Sequence, residues 1–369
     1  MFGATGYTGR LTAEVMTRAG LAPVLAGRSE SALVDLVGNL APLAPIDAAP
    51  TWRVADVADP ASVRALVTDP ADVLVSTVGP FAALGRPAVD AAVEQGCGYL
   101  DSTGESSFIR RVFESDGPRA ELTGARLLTA FGYDYVPGNL AGALAIRQAG
   151  AGGGSPSGVE VGYFVRGGMG LSSGTRASAA GMIAERPFAY RNGAIVETGG
   201  HVATFDVGDR RLDAMPVGGS EHFTLPRLEP RVRDVGVYLG WAGRLTRVAH
   251  AAGAATSLAT RVPGAGSLIT AGLGRLVGSA TGVGPTAQER AGSVSIAVGR
   301  TVDGVGRELS RVRVEGPSPY DLTAELLAWG AAMLLTGRCS TVGALGPVDA
   351  FGLDALVAGC ADLGLRRVD

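Results

Sequence analysis

Residues 1–10 read MFGATGYTGR. Gly3, Gly6 and Gly9 have the spacing of a turn that cradles phosphates between a β-strand and a helix. One glycine permits the tight turn, one lets the backbone approach a pyrophosphate, and one allows close helix packing. Thr5, Tyr7 and Thr8 stand between them, and a helix from about Thr8 would direct its free N–H groups at the phosphates. Such a turn should follow a buried strand of about five residues. Only Met1 and Phe2 precede it. The first strand is central in this arrangement. The expectation is therefore a truncated strand, with Met1 standing where a longer chain carries an apolar residue.

The 369 residues suggest about two domains with ample material for a core. Hydrophobic residues make up 46% and charged residues 18%, the balance of a globular protein. The formal net charge of −3 points to neither a nucleic-acid nor an anionic-membrane partner. No uncharged apolar run is long enough to span a bilayer, and no signal peptide opens the chain, so a reducing cytoplasm is the default. Lysine is absent and every one of the 32 basic residues is arginine. That excludes Schiff-base chemistry, a P-loop lysine and the Tyr-Lys pair of short-chain dehydrogenases. Cys97, Cys339 and Cys360 lie too far apart for a disulfide framework or a metal motif. His201, His222 and His250 are scattered and carry no motif.

Strand-like and helix-like segments alternate through residues 1–135, which predicts a doubly wound parallel sheet, the Rossmann-like α/β class. Longer antiparallel strands follow from about residue 158, with turns at "NG" and "DG". Residues 136–315 therefore read as an α+β segment distinct from the first, and residues 316–369 as a closing segment with strong helices. Residues 234–278, rich in small apolar residues with Arg244, Arg247, Arg261 and Arg275 interspersed, read as helices that either pack as ordinary core or wall an apolar cavity.

Three features agree with a nucleotide at the glycine turn. The second strand ends "LAGRSE". Gly27 leaves empty the position where an NAD site carries an acidic residue, and Arg28 and Ser29 follow. A guanidinium suits a 2′-phosphate, which favours NADP. Asp56 follows the third strand, where its side chain either reaches the adenine edge or closes a turn. Gly79, Pro80 and Phe81 end the fourth strand on the sheet edge where ligands bind, with Phe81 a candidate apolar wall for the nicotinamide.

"FGATGYTG", "LAGRS", "STVGPF", "YLDSTGE" and "GYDYVPGNLAG", taken in order, resemble the saccharopine dehydrogenase-like oxidoreductases, most closely the branch of trans-acting enoyl reductases that work beside polyketide synthases. The resemblance continues in "SSGTRAS", "GPTAQER" and the terminal "EGPSPYDLTAELL", with the middle of the chain weakest. It implies an NADP-binding Rossmann domain, an inserted substrate domain and returning C-terminal helices. It does not imply saccharopine as substrate. Tyr135 and Asn139 stand where relatives more often carry Ser and Asp, so substrate specificity does not transfer.

Hydride transfer requires orientation and a group that polarises or protonates the far end of the reacting bond. Asp101 and Glu105 either hydrogen-bond the nicotinamide ribose or carboxamide, or cap a helix. Tyr133, Asp134 and Tyr135 are the candidate catalytic residues, the tyrosines alternatively packing a domain junction. Ser172, Ser173 and Thr175 are candidate substrate hydroxyls or a helix cap. The leading reading is an NADPH-dependent reductase of an enoyl or enone bond in an apolar acyl- or polyketide-like metabolite. The alternatives are a C=O or C=N reductase of a small metabolite and a non-catalytic NADP-binding scaffold. The partners in view are a small-molecule or carrier-bound acyl substrate and a second copy in a homodimer.

Overall fold

A computed structural model describes residues 1–168, 170, 172, 175–176, 187–198, 200–241, 246–247 and 284–369. The first half of the chain runs α1 (Tyr7–Arg18), β1 (Val24–Gly27), α2 (Glu30–Leu40), β2 (Thr51–Val54), α3 (Pro60–Arg64), β3 (Val73–Ser76), α4 (Phe81–Leu84), α5 (Arg86–Gln95), β4 (Gly98–Asp101), α6 (Ser106–Arg111), α7 (Gly117–Thr123), β5 (Arg126–Leu128) and α8 (Val136–Ala151). Every strand pairing in this part is parallel. β1 pairs β2, while β3, β4 and β5 form a second group closed at its edge by the late strand β14 (Gly343–Ala344).

Met1 and Phe2 lie between the two groups. Phe2 bridges Ala26 of β1 on one side and Ser76 of β3 on the other, both in parallel sense. Its N–H donates to Val75 O (2.7 Å), and its carbonyl accepts from Thr77 N (2.9 Å). Met1 O accepts from Ala26 N (2.7 Å), and the buried Met1 amine donates to Val24 O at 2.8 Å. Burial lowers that amine to about 5. Two residues thus occupy the slot of the central strand. The resulting order is β2-β1-Phe2-β3-β4-β5-β14, so the chain departs to opposite sides from the glycine turn.

The local signals behind these elements are ordinary ones. Pro60 opens α3 with Asp59 as its cap, and Gly96, in a left-handed conformation at φ 73°, ends α5. The "NG" turn, Asn192 and Gly193, joins β7 (Phe188–Arg191) to β8 (Ala194–Glu197) with both residues at positive φ.

The second sheet is mixed. It comprises β6 (Gly158–Arg166), β9 (Ala203–Val207), β10 (Arg210–Pro216), β11 (Asp234–Leu239), β12 (Val294–Val302), β13 (Glu308–Gly316) and β15 (Arg366–Arg367), with β7 and β8 as a side branch on β11. Only the β11–β6 pair is parallel. One face packs on α8. The other buries Phe164, Phe205, Tyr238, Ile296 and Val298 in a separate apolar cluster.

α8 is buried around most of its circumference because it lies against the second sheet on one side and helices on others. Those helices are α9 (Glu221–Leu228), α12 (Pro347–Phe351) and α13 (Leu353–Asp362). Between them in sequence come α10 (Ala287–Ala291) and α11 (Pro319–Leu335). α11 returns to the first sheet, packing on α1 and over β3 and β4. The helical reading of residues 234–278 fails at its start, where Asp234–Leu239 form β11 by pairing with β6 and β10, and the rest of that stretch lies largely outside the described residues, as do Ser173 and His250.

The approach of α8 to β12 depends on Gly299. A Cβ there would lie 2.5 Å from Ala141 C. Gly299→Ala is expected to destabilise the fold by about 1–3 kcal/mol, the usual overpacking cost. The midpoint of urea unfolding checks this.

Candidate active site

The glycine turn is built as a phosphate cradle. Gly3 has φ 85°, and a Cβ on it would meet Thr77 Oγ1 and Val78 Cγ2 at 2.9 Å. A Cβ on Gly9 would come within 2.1 Å of Gly3 O, so α1 starts hard against the turn. Gly6 caps α1, no side chain accepts from the cap position, and the first turn carries no acidic residue. The helix start is therefore open to an anion. Arg10 Nε donates to Thr5 O at 2.9 Å, which places a guanidinium beside the same turn. Gly27, at the end of β1, faces Thr5: a Cβ there would be 3.6 Å from Thr5 Oγ1. The next residue, Arg28, is exposed and makes no ion pair among the described residues. Ser29 caps α2, accepting from Ala32 N.

At the carboxyl ends of β4 and β5, beside the start of α1, lies a cavity of ≈ 70 Å³. Thr8, Ser102, Tyr133, Asp134, Thr175, Trp241, Pro319, Tyr320 and Thr323 line it. A larger cavity, ≈ 570 Å³, opens at the opposite edge, between the amino ends of β3 and β4 and the end of α11. It is remote from the cradle, and size does not make it the site of chemistry.

Asp134 is the carboxyl that lines the smaller cavity. Its side chain is half-buried, open on the cavity side, and its carboxyl makes no hydrogen bond to the described residues. Burial raises its pKa from 3.8 to about 7. Gly104 keeps room beside it, since a Cβ there would lie 3.2 Å from Asp134 Oδ2. Trp241 Nε1 is buried without a hydrogen-bond partner among the described residues. The arrangement offers a protonated carboxyl and an indole N–H in one desolvated space next to a helix N-terminus. That is the equipment for delivering a proton to a substrate polarised at an oxygen.

No family model matches the chain. Over 144 residues it is 37% identical to a trans-acting enoyl reductase of Mycobacterium leprae, a match covering 38% of this chain and 33% of that protein. Over 146 residues it is 38% identical to the trans-acting enoyl reductase of Mycobacterium ulcerans, with the same coverage. The matched stretch spans about a third of the length of these relatives. Among solved structures, apo saccharopine dehydrogenase (L-Glu forming) from Saccharomyces cerevisiae superposes with a TM-score of 0.57 at 12% identity, covering 98% of both chains. The chain has the saccharopine dehydrogenase fold and sequence kinship with the trans-acting enoyl reductases.

Within that fold several sequence-based assignments change. Asp101 is fully buried: Oδ1 accepts from Thr103 N and Ala130 N (both 2.9 Å) and Oδ2 from Thr129 Oγ1 (2.8 Å). It latches β4 to the chain after β5, and neither oxygen is left for a nicotinamide ribose. Phe81 is buried against Phe108, ring centroids 5.6 Å apart, rather than forming an open apolar wall; Gly79 and Pro80 keep exposed surface. Tyr133 Oη donates to Phe164 O (2.9 Å) and Tyr135 Oη to Gly104 O (3.3 Å). Both hydroxyls donate to backbone carbonyls, the junction-packing alternative for the tyrosines, and Asp134 is the member of the trio whose polar group faces the cavity without such a bond among the described residues. Asp56 closes a turn by accepting from Ala58 N at 2.9 Å. Tyr7 points away from a cofactor role: its hydroxyl binds Arg290 Nη1 (2.9 Å) and Pro285 O. Ser172 caps Thr175 N (3.1 Å), and both residues bond Tyr320 Oη, through Ser172 N (2.7 Å) and Thr175 Oγ1 (2.8 Å).

Trp241, Tyr320, Arg290 and Glu221 were not singled out from sequence. No local motif marks them, and the first two reach the cavity only through tertiary packing.

Glu105 anchors the loop at the end of β3. Its carboxylate accepts from Phe81 N and Ala82 N, each at 2.8 Å. Glu105→Ala leaves those two N–H groups without this partner and should cost about 1–3 kcal/mol in thermal or denaturant unfolding.

Proposed function

We propose that the protein is an NADP-dependent reductase that saturates a C=C bond conjugated to a carbonyl in an acyl-type substrate. The observation that carries the reading is Asp134, a desolvated carboxyl open on a cavity beside the phosphate cradle. The enoyl substrate class rests on the sequence kinship described above.

The chain's residues fit the cofactor. Gly3, Gly6 and Gly9 would let the backbone close on a pyrophosphate, with the α1 amides near Tyr7 and Thr8 as donors and Thr5 alongside. Arg28 would hold the 2′-phosphate in the space that Gly27 leaves free, next to Ser29, with Asp56 near the adenine side and Gly79–Pro80 beside the nicotinamide. When bound, NADPH supplies the hydride. The double bond's electrons shift toward the substrate carbonyl as its β-carbon is reduced. Trp241 Nε1 would donate to that carbonyl oxygen. Asp134 would give its proton to the α-carbon and be left as a carboxylate, to be reprotonated from solvent. Burial makes the acid form available near neutral pH, and it is lost as pH rises through about 7.

Arg28→Ala should weaken NADPH binding about tenfold or more and leave NADH unchanged, read by NADPH fluorescence titration. An equal response to both cofactors in the wild type would remove the assignment of Arg28. Asp134→Asn should lower kcat by about 10²–10⁴-fold and remove the one-proton fall in kcat/KM that begins near pH 7. NADPH consumption should occur with enones and not with ketones or imines. The opposite preference selects C=O or C=N reduction, and binding with no turnover selects a scaffold.

A further inference from the structure

We infer that Glu221 is held in the folded protein as a neutral carboxylic acid and is the positioning residue for the Asp134 loop. The role assigned to that loop rests on the proposed reaction; the protonation of Glu221 does not.

The first argument is a count of protons. Glu221 Oε1, Tyr163 Oη and Tyr135 O form a row of three oxygens, each within hydrogen-bond reach of the next. Two protons are needed between them, because two oxygens in contact without one repel. Tyr163 supplies one and a backbone carbonyl supplies none. The second must sit on Glu221. Tyr163 then donates to Tyr135 O (2.9 Å) and accepts from Glu221, while Gly138 N donates to its remaining lone pair at 2.9 Å. Every valence of the phenol is used.

The second argument is the surroundings. Glu221 and Tyr163 are fully buried, and Tyr135 is 1% exposed. Glu221 Oε2 has no hydrogen-bond partner among the described residues, which a carboxylate would tolerate poorly. No cation pairs with Glu221 among the described residues. The titratable groups that face it are Tyr163 from β6, Asp134 and Tyr135 from the loop before α8, and His222 from its own helix. Nearby α8 presents only Gly138 and Asn139. Burial lowers His222 to about 4, so it contributes no positive charge at neutral pH. Burial likewise raises Glu221 to about 8, and Asp134 adds to the rise.

The neutral acid has a mechanical consequence. Through Tyr163 it grips the Tyr135 carbonyl and the Gly138 amide, the two ends of the bend that follows Asp134. Ionisation would remove one of the two protons in the row and place a second negative charge near Asp134.

The test is linkage between unfolding and pH in the full chain. A folded pKa above the unfolded value means stability present below about 4.5 and lost as pH rises toward about 8. At pH 6–7 the wild type should therefore release one more proton on unfolding than Glu221→Gln. Its unfolding constant should rise about tenfold more steeply per pH unit. Equal slopes in the two proteins overturn the inference. If the variant does not fold, a protonated-carboxyl infrared band that persists in Asp134→Asn at pH 7 supports it, and its absence overturns it. The positioning role is read separately with NADPH and an enone probe. Above pH 8 wild-type kcat/KM should fall with two-proton steepness and Glu221→Gln with one-proton steepness. The same steepness in both removes the positioning role. Failure of the enone probe in the wild type counts against the enoyl reading alone, because the unfolding slopes do not depend on turnover.

Discussion

The site depends on the pairing that Phe2 makes to both sides at once. β1 and β2 form one parallel group and β3, β4, β5 and β14 another, and the bridges from Phe2 to Ala26 and Ser76 join them. Because the chain leaves this slot toward opposite edges, the carboxyl end of Phe2 is the crevice where the loops of neighbouring strands diverge. Gly3 follows immediately and presses against Thr77 and Val78. The glycine turn, the loop after β3 and the end of β1 are thereby fixed to one another by backbone contacts.

Around that crevice the loops divide the work. Glu105 and Asp101 are carboxylates spent on backbone amides, and they hold the loops after β3 and β5 in place. Each of their oxygens accepts at least one hydrogen bond from the protein, which suits an anchor. Asp134 is the converse: among the described residues no donor compensates its burial, which raises it to about 7. The contrast between anchored and unanchored carboxyls separates those that hold loops from the one that faces the cavity.

The same contrast explains what could be read from sequence. The glycine turn was legible because its requirement is backbone geometry, which only glycine meets at Gly3 and Gly9. The parallel order was legible from strand and helix alternation, and the "NG" hairpin from turn chemistry. The shortness of the segment before the glycine turn was legible as an anomaly, and the structure seats Met1 and Phe2 between β1 and β3. Asp101, Tyr133 and Tyr135 were not separable from Asp134 by residue type. Whether a buried oxygen finds a donor depends on Thr129, Phe164 and Gly104, which belong to other segments. Trp241 and Glu221 had no sequence signal, because each acquires its role only where the second sheet meets the first.

The absence of lysine gives these facts a common cause. Every side-chain cation apart from histidine is a guanidinium, which needs several acceptors at fixed angles and cannot shed its proton. Such a group is costly in a tight apolar chamber, and the described arginine pairs keep one or both partners partly exposed. Among the described residues the histidine packed near the chamber is His222, which burial lowers to about 4. With no compact cation to pair with, a carboxyl buried there has one inexpensive state, the protonated one. Burial raises both Asp134 and Glu221, and the nearby Asp134 carboxyl adds to the rise at Glu221. An acid able to act near neutral pH then follows from what the chamber lacks as much as from what it contains.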